Sequence, residues 1–165
     1  MANSGAAANV QSPQKKVVGC GECGTYAQLC KKSAGKDRGK TRYERDHIPA
    51  KATLRERAFK LAGKGLKKAQ KRCIAYQVEQ NGIAIAIPRS AHRDFSPTCG
   101  TKNKPLMKND ASSKKKLDEA VDRDLAEMPS HLDPKCAKAY KQAAKRVKEH
   151  DNEKVIRDAI KKCTK

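Results

Sequence analysis

Tryptophan is absent from this chain, and only two phenylalanines and four tyrosines stand among its 165 residues. A core must therefore be assembled from Ala, Leu, Ile and Val. Such a core is small for this length, so a metal or a partner is expected to supply part of the stability. The same scarcity removes the interleaved aromatics on which unpaired bases stack, which argues against recognition of a single strand by stacking. No apolar run reaches the length of a membrane-spanning helix. Met1 to Lys16 has no apolar segment of signal-peptide length, and no stretch joins a long apolar face to aromatic anchors. Membrane insertion is not expected.

Acidic residues are also few. Eighteen Asp and Glu face 38 Lys and Arg, a formal charge of +20. Residues 1–113 carry net +15 and residues 114–165 net +5, so the excess lies in the first two thirds. Solubility alone is served by a smaller charge. A surface this basic points to a polyanion, because Lys and Arg facing phosphates release condensed counterions.

The pattern along the chain predicts an α+β protein with a small hairpin-and-helix core, several surrounding helices and a helical C-terminal third. Residues 1–16 are small and polar and read as a disordered arm; with the Gly-, Cys- and Lys-rich stretch to residue 40 they form an N-terminal segment. Residues 41–110 read as the functional core, and 111–165 as a helical extension packed on it. Thr41 to Asp46 predicts a short strand into His47, and Pro49 turns the chain. Ala50 to Leu61 predicts a helix with Leu54, Ala58 and Leu61 on one face. Leu66 to Arg72 fits a helical turn or a basic loop. Ile74, Tyr76 and Val78 alternate with Ala75, Gln77 and Glu79, the period of a half-buried strand. Asn81-Gly82 then offers the positive φ angles of a tight hairpin turn, and Ile83, Ile85 and Ile87 form the return strand. Pro88 suits the first turn of a helix over Arg89 to Phe95, which Pro97 stops. Thr98 to Ser113 reads as loop. Three amphipathic helices follow: one lined by Leu117, Val121, Leu125 and Met128, one started by Asp133-Pro134 with Tyr140, Ala144 and Val147 inward, and one capped by Asp151 with Val155, Ile156, Ala159 and Ile160 inward.

Asp46-His47, followed by His92 at the start of the next predicted helix, carries the chemistry. Cutting a phosphodiester needs a cation against the phosphate, a base for water and a scaffold that aligns them. Asp46 offers a carboxylate to a hard cation. His47 points the opposite way on an extended chain, and its neutral imidazole is a base near neutral pH. His92 completes the cation site from the helix. Any one of these taken alone is more often a surface residue, so the weight rests on their order, the hairpin and the charge. His131 and His150 read as structural or surface residues.

The run Tyr43-Glu44-Arg45-Asp46-His47-Ile48-Pro49-Ala50, with Ile83 to Pro88, Ala91-His92-Arg93, Ser96-Pro97-Thr98-Cys99-Gly100 and Asn103, resembles the HNH-type ββα-metal nucleases. It is most similar to the toxin domains of bacterial polymorphic toxins and type VI secretion effectors. The resemblance covers residues 43–103. It implies Asp46 and His92 as metal ligands and His47 as general base. Asn103, with Ser96 or Thr98 beside it, would position phosphate or base. Ala50 stands where the family commonly has Ser, and Cys99 where it has Tyr. A third ligand is not evident; water, phosphate oxygens or Asp94 would fill that place. The implied cofactor is a divalent metal, Mg²⁺ first, with Mn²⁺, Ni²⁺ or Zn²⁺ as alternatives. The implied function is a sequence-tolerant DNA endonuclease acting as an antibacterial toxin, secreted without a cleavable signal peptide and delivered into a target cell's cytoplasm. An acidic cognate immunity protein would be its partner. An RNase on the same scaffold and a non-catalytic basic nucleic-acid-binding protein are the alternatives. The cations expected against the phosphate backbone are Arg45, Arg89, Arg93, Lys102, Lys67, Lys68 and Arg72, with Lys71 and Lys114-Lys115-Lys116 as further basic runs.

Seven cysteines are an odd number, so at least one is free, metal-bound or intermolecular. Cys20-Gly-Glu-Cys23 with Cys30 fits half of a zinc site, to which Cys73 or Cys99 would return, or a disulfide, or buried thiols.

Overall fold

The computed structural model describes residues 15–165; the expected arm over residues 1–16 lies outside them except for Lys15 and Lys16. In chain order the elements are β1 (Cys23–Thr25), α1 (Tyr26–Cys30), β2 (Lys36–Asp37), β3 (Lys40–Thr41), β4 (Tyr43–His47), α2 (Lys51–Ala62), α3 (Lys68–Asn81), β5 (Ile83–Pro88), α4 (Arg89–Phe95), α5 (Lys104–Asp110), α6 (Lys114–Glu127), α7 (Pro134–Lys148) and α8 (Asn152–Cys163). The fold class is α+β. None of the described helices is long and apolar enough to cross a membrane.

A three-stranded antiparallel sheet in the order β1-β5-β4 positions the site. Its central strand alternates Ile with Ala, so Ile83, Ile85 and Ile87 share one face. There they join Ile48, Val121 and Leu125 of α6, and Tyr140, Ala143 and Val147 of α7 in one buried cluster. Each fully buried Ile stabilises by roughly 1.5–3 kcal/mol relative to exposure. The C-terminal helices thus cover the apolar face of the sheet. A second cluster joins Leu54 and Ala58 of α2, Ile74 and Val78 of α3, Leu117 of α6, and Ile156 and Ala159 of α8.

The expected strand over 74–78 is instead the middle of α3. Ile74 and Val78, four residues apart, are fully buried, whereas Tyr76 is 59% exposed. That is helical spacing, which a short alternating run imitates. The hairpin is likewise differently built. β5 pairs with β4, with Asp46 opposite Ile85 and His47 opposite Ala84, and α2 and α3 fill the interval. Gly82 is the C-cap residue of α3 with φ −61°, so no positive φ is used there. A glycine is needed for a different reason: an added Cβ would lie 2.8 Å from the Val78 carbonyl oxygen and 3.3 Å from the His47 ring.

Segment 98–113 is not all loop. A 3₁₀ turn spans Cys99–Thr101, and α5 follows, capped by the Asn103 side chain, which accepts from the Leu106 N–H at 3.1 Å. Leu61, expected on the inner face of α2, is 44% exposed. The boundaries of α4 match the expectation, and Asp133 and Asp151 cap α7 and α8 as their sequences indicate. Each such cap is worth about 1 kcal/mol.

The cysteines pair across the chain. Cys20 is bonded to Cys136, and Cys73 to Cys163, tying the N-terminal segment to α7 and α3 to α8. Of the alternatives of a zinc site, a disulfide or buried thiols, the zinc grouping of Cys20, Cys23 and Cys30 is not formed; Cys20 is in a disulfide, with Cys136, while Cys23, Cys30 and Cys99 are free thiols. Thiol titration of the unfolded, unreduced protein should return three thiols per chain; seven would mean that neither bridge exists. The double substitution Cys73→Ala/Cys163→Ala should cost about 2–4 kcal/mol in urea unfolding, and an unchanged midpoint would refute the second bridge.

Candidate active site

Side chains two apart on a strand share a face, so Glu44 and Asp46 project from the same side of β4. α4 leaves the end of β5 and sets His92 between them. His92 Nδ1 lies 2.5 Å from Glu44 Oε2, and Nε2 lies 3.1 Å from Asp46 Oδ1. Glu44 also accepts from Arg93 at 2.7 Å and faces Arg89 at 3.4 Å. Burial alone would lower the His92 pKa, but the bond and charge of Asp46, then those of Glu44, push it up to about 9. Burial would raise the Glu44 carboxyl, and the bonds from His92 and Arg93 outweigh it and hold it below the usual range. His92 is thus an imidazolium at neutral pH, donating from both ring nitrogens.

His47 leaves β4 on the other face. Its Nε2 lies 3.0 Å from the backbone carbonyl of Glu79, near the end of α3. A carbonyl only accepts, so Nε2 carries the hydrogen and Nδ1 keeps its lone pair. Tyr26 stacks on the ring at 4.6 Å between centroids. Burial lowers the His47 pKa, with Lys51 adding to the shift, against raising contributions from the Glu79 carbonyl and Asp46. The two histidines therefore sit in opposite protonation states beside one strand.

Both line a single cleft of about 450 Å³ that wraps around the edge strand β4. Asp46, Arg45, Arg93, Thr98 and Cys99 line it as well. Lys51 and Arg55 also line it, and neither stands out in the sequence; both sit in the first turns of α2, directly after the motif. Glu44 is likewise a site residue to which the sequence alone gives no role within the motif. The spacing Glu-x-Asp before His47 is the signal that would have found it.

Other expected residues lie elsewhere. Asn103 serves as the cap of α5 and does not line the cleft. Asp94 is exposed and does not line it, so it supplies no third ligand here. Ser96 is buried and does not line the cleft. Arg45 gives one guanidinium N–H to the Lys32 carbonyl at 2.8 Å. Arg89 is held by Glu44, and Lys102 by the Arg93 carbonyl. Lys67, Lys68 and Arg72 are exposed around the start of α3, outside the cleft lining. His131 stacks on Phe95 and pairs with Glu127.

Asp46 offers a carboxylate oxygen at the cleft, and His92 would add Nε2 once the hydrogen it shares with Asp46 is released. Among the described residues no three His, Cys, Asp or Glu side chains converge as a ligand set. A hard divalent cation that retains water and takes substrate oxygens is held by as few as one or two protein groups, and the carboxylate behind His92 is the usual outer support of a ligating imidazole. A carboxylate oxygen with one imidazole nitrogen is a donor pair that a divalent cation of this kind accepts.

No family model, curated protein or solved structure matched the chain when it was compared with each.

Ring-nitrogen NMR of ¹⁵N-labelled, metal-free protein checks the two charge states. His92 should show an imidazolium pattern at pH values near neutrality and lose its proton only near pH 9. His47 should remain neutral with the hydrogen on Nε2. An ordinary histidine midpoint for both rings would overturn this electrostatic picture.

Proposed function

We propose that the protein is a metal-dependent, sequence-tolerant DNA endonuclease acting at the cleft along β4. The observation that carries this reading is the division of labour around one strand. Asp46 and His92 meet on one face, while a neutral, tautomer-fixed His47 faces the same cleft from the other. The resemblance of residues 43–103 to HNH-type toxin nucleases agrees with that assignment.

In this mechanism Asp46 and His92 would hold the divalent cation, whose chemistry there would be Lewis-acid stabilisation of the phosphate and the departing 3′ oxygen. For that, Nε2 of His92 would first release to solvent the hydrogen it shares with Asp46, while Glu44 accepts from Nδ1–H before and after. His47 takes a proton from the attacking water at Nδ1. The Glu79 carbonyl and the Tyr26 ring hold the imidazole in orientation, and burial keeps it uncharged and ready to accept. Arg55, which has no ion-pair partner among the described residues, would meet phosphate oxygens at the cleft wall, and Arg93 and Lys51 would do so on leaving or sharing their partners Glu44 and Glu79. Contacts of this kind read the backbone and not the base edges, which accounts for sequence tolerance.

The antibacterial-effector reading rests on the resemblance, and the two disulfides agree with an oxidising stage in the protein's life. An acidic immunity protein is the partner whose charge complements this surface. The metal identity in this reading is Mg²⁺ before Mn²⁺, Ni²⁺ or Zn²⁺.

Incubation with supercoiled plasmid across a divalent-ion series, with a chelator control and total RNA alongside, tests the proposal. Plasmid should be nicked and linearised, and chelator should stop it; faster cleavage of RNA would make the protein an RNase. His47→Ala should lower the rate by roughly 10²–10⁴-fold with plasmid binding retained. Wild-type activity in that variant would remove the base assignment. Glu44→Gln should weaken metal affinity by about 10–100-fold, measured by calorimetric titration.

A further inference from the structure

β2 and β3 form a separate two-stranded ribbon, with Lys36 opposite Thr41 and Asp37 opposite Lys40. Its tip is Arg38-Gly39, with φ of 47° and 77°. Both central residues thus have the positive φ that a two-residue type I′ turn requires. Arg38 is the only non-glycine residue with positive φ among the described residues. Asn, Asp or Gly is the usual occupant of such a position, because a longer side chain is strained there. A guanidinium thus stands at the tip where the backbone prefers Asn, Asp or Gly.

The ribbon is basic, with four cations against one acid, Asp37. Lys36, Arg38, Lys40 and Arg42 are all exposed. None of them forms an ion pair among the described residues, whereas Glu44, Glu79 and Glu22 each hold a cation elsewhere. The base of the ribbon is fixed. Arg42 N–H donates to the Gly35 carbonyl at 3.1 Å, Tyr43 N–H to Ala34 at 3.0 Å, and Arg89 N–H to Arg42 at 3.0 Å. The Arg42 guanidinium lies 5.1 Å over the Tyr43 ring. β3 leads through Arg42 directly into β4, the strand that bears Asp46 and His47. Thr41 lines the cleft, and its cross-strand partner Lys36 shares that face.

We infer that the 36–42 ribbon is a duplex clamp: a rigid basic finger that straddles double-stranded DNA beside the scissile phosphate and contacts the backbones of both strands. This rests on the nuclease reading for its role in cleavage but not for binding. A two-stranded ribbon has the width that a DNA groove admits, and cations at its tip and on both strands reach phosphates on either side. The ribbon carries no exposed aromatic for base stacking, so a single strand gains little from it.

The test compares wild type, Lys36→Ala/Arg38→Ala/Lys40→Ala, and a charge-matched control, Lys138→Ala/Lys141→Ala/Lys145→Ala, whose lysines lie on α7 away from its buried face. Binding of a short duplex and of one of its single strands is measured across a salt series without divalent metal, and duplex cleavage with it. The ribbon variant should bind duplex roughly tenfold or more weakly, with a salt slope smaller by about 0.9 for each phosphate no longer neutralised, and cleave it correspondingly less. Its single-strand affinity should change no more than the control's. Arg38→Asn should raise the thermal midpoint by relieving the turn while still weakening duplex binding. Equal losses in ribbon variant and control, or unchanged duplex binding in the ribbon variant, would overturn the clamp. A wild type that binds duplex but leaves it uncut with every divalent metal tried would overturn the nuclease reading alone, because the binding series still decides the clamp.

Discussion

His92 joins β4 to α4 by standing between Glu44 and Asp46, and the candidate site depends on that bridge. Two carboxylates on one face of a strand, each largely withdrawn from water, repel one another unless a cation lies between them. The imidazolium fills that place, and Arg89 and Arg93 neutralise the outer oxygen of Glu44. The result is a compact ionic cluster whose parts come from the strand and from the helix that follows its neighbour. The orientation of α4, and with it the cleft wall, is tied to this cluster.

The pleat of β4 then separates two chemistries that a single surface could not keep apart. On one side an imidazole is charged because carboxylates surround it. On the other an imidazole is neutral because it is buried against Tyr26 and tied to a backbone carbonyl. Environments that push two similar groups in opposite directions are how one small site assigns different tasks to them. The register Asp46 to Ile85 and His47 to Ala84 enforces the separation: the first pair faces the isoleucine core, the second the helical side. The close approach of Gly82 to the His47 ring belongs to the same arrangement.

Much of this was readable in the amino-acid order, and the exceptions have definite causes. α6, α7 and α8 carry helical periodicity, and Pro88, Asp133-Pro134 and Asp151 mark the starts of α4, α7 and α8, so these follow from local chemistry. The run Ile74-Tyr76-Val78 misleads because three alternating apolar residues satisfy a strand period as well as a helical i, i+4 pair. Only the exposure of Tyr76 decides between them. Asn81-Gly82 misleads because glycine serves close packing as well as positive φ. Asn103 is a helix cap because a short polar side chain before Lys104-Pro105 meets the needs of a helix start. The partners Cys136 and Cys163 lie more than half a chain from theirs, and no local pattern encodes such a pairing. Glu44 was present in the motif, but its role exists only once α4 folds back over β4.

The two bridges overlap along the backbone: the span closed by Cys20 and Cys136 contains Cys73 but not Cys163. Neither loop lies wholly within the other, so the oxidised chain is a branched, interlaced object and not a thread. No pulling force that leaves sulfur–sulfur bonds intact can draw it out in single file. Passage through an opening that admits one strand at a time must therefore precede oxidation or follow reduction.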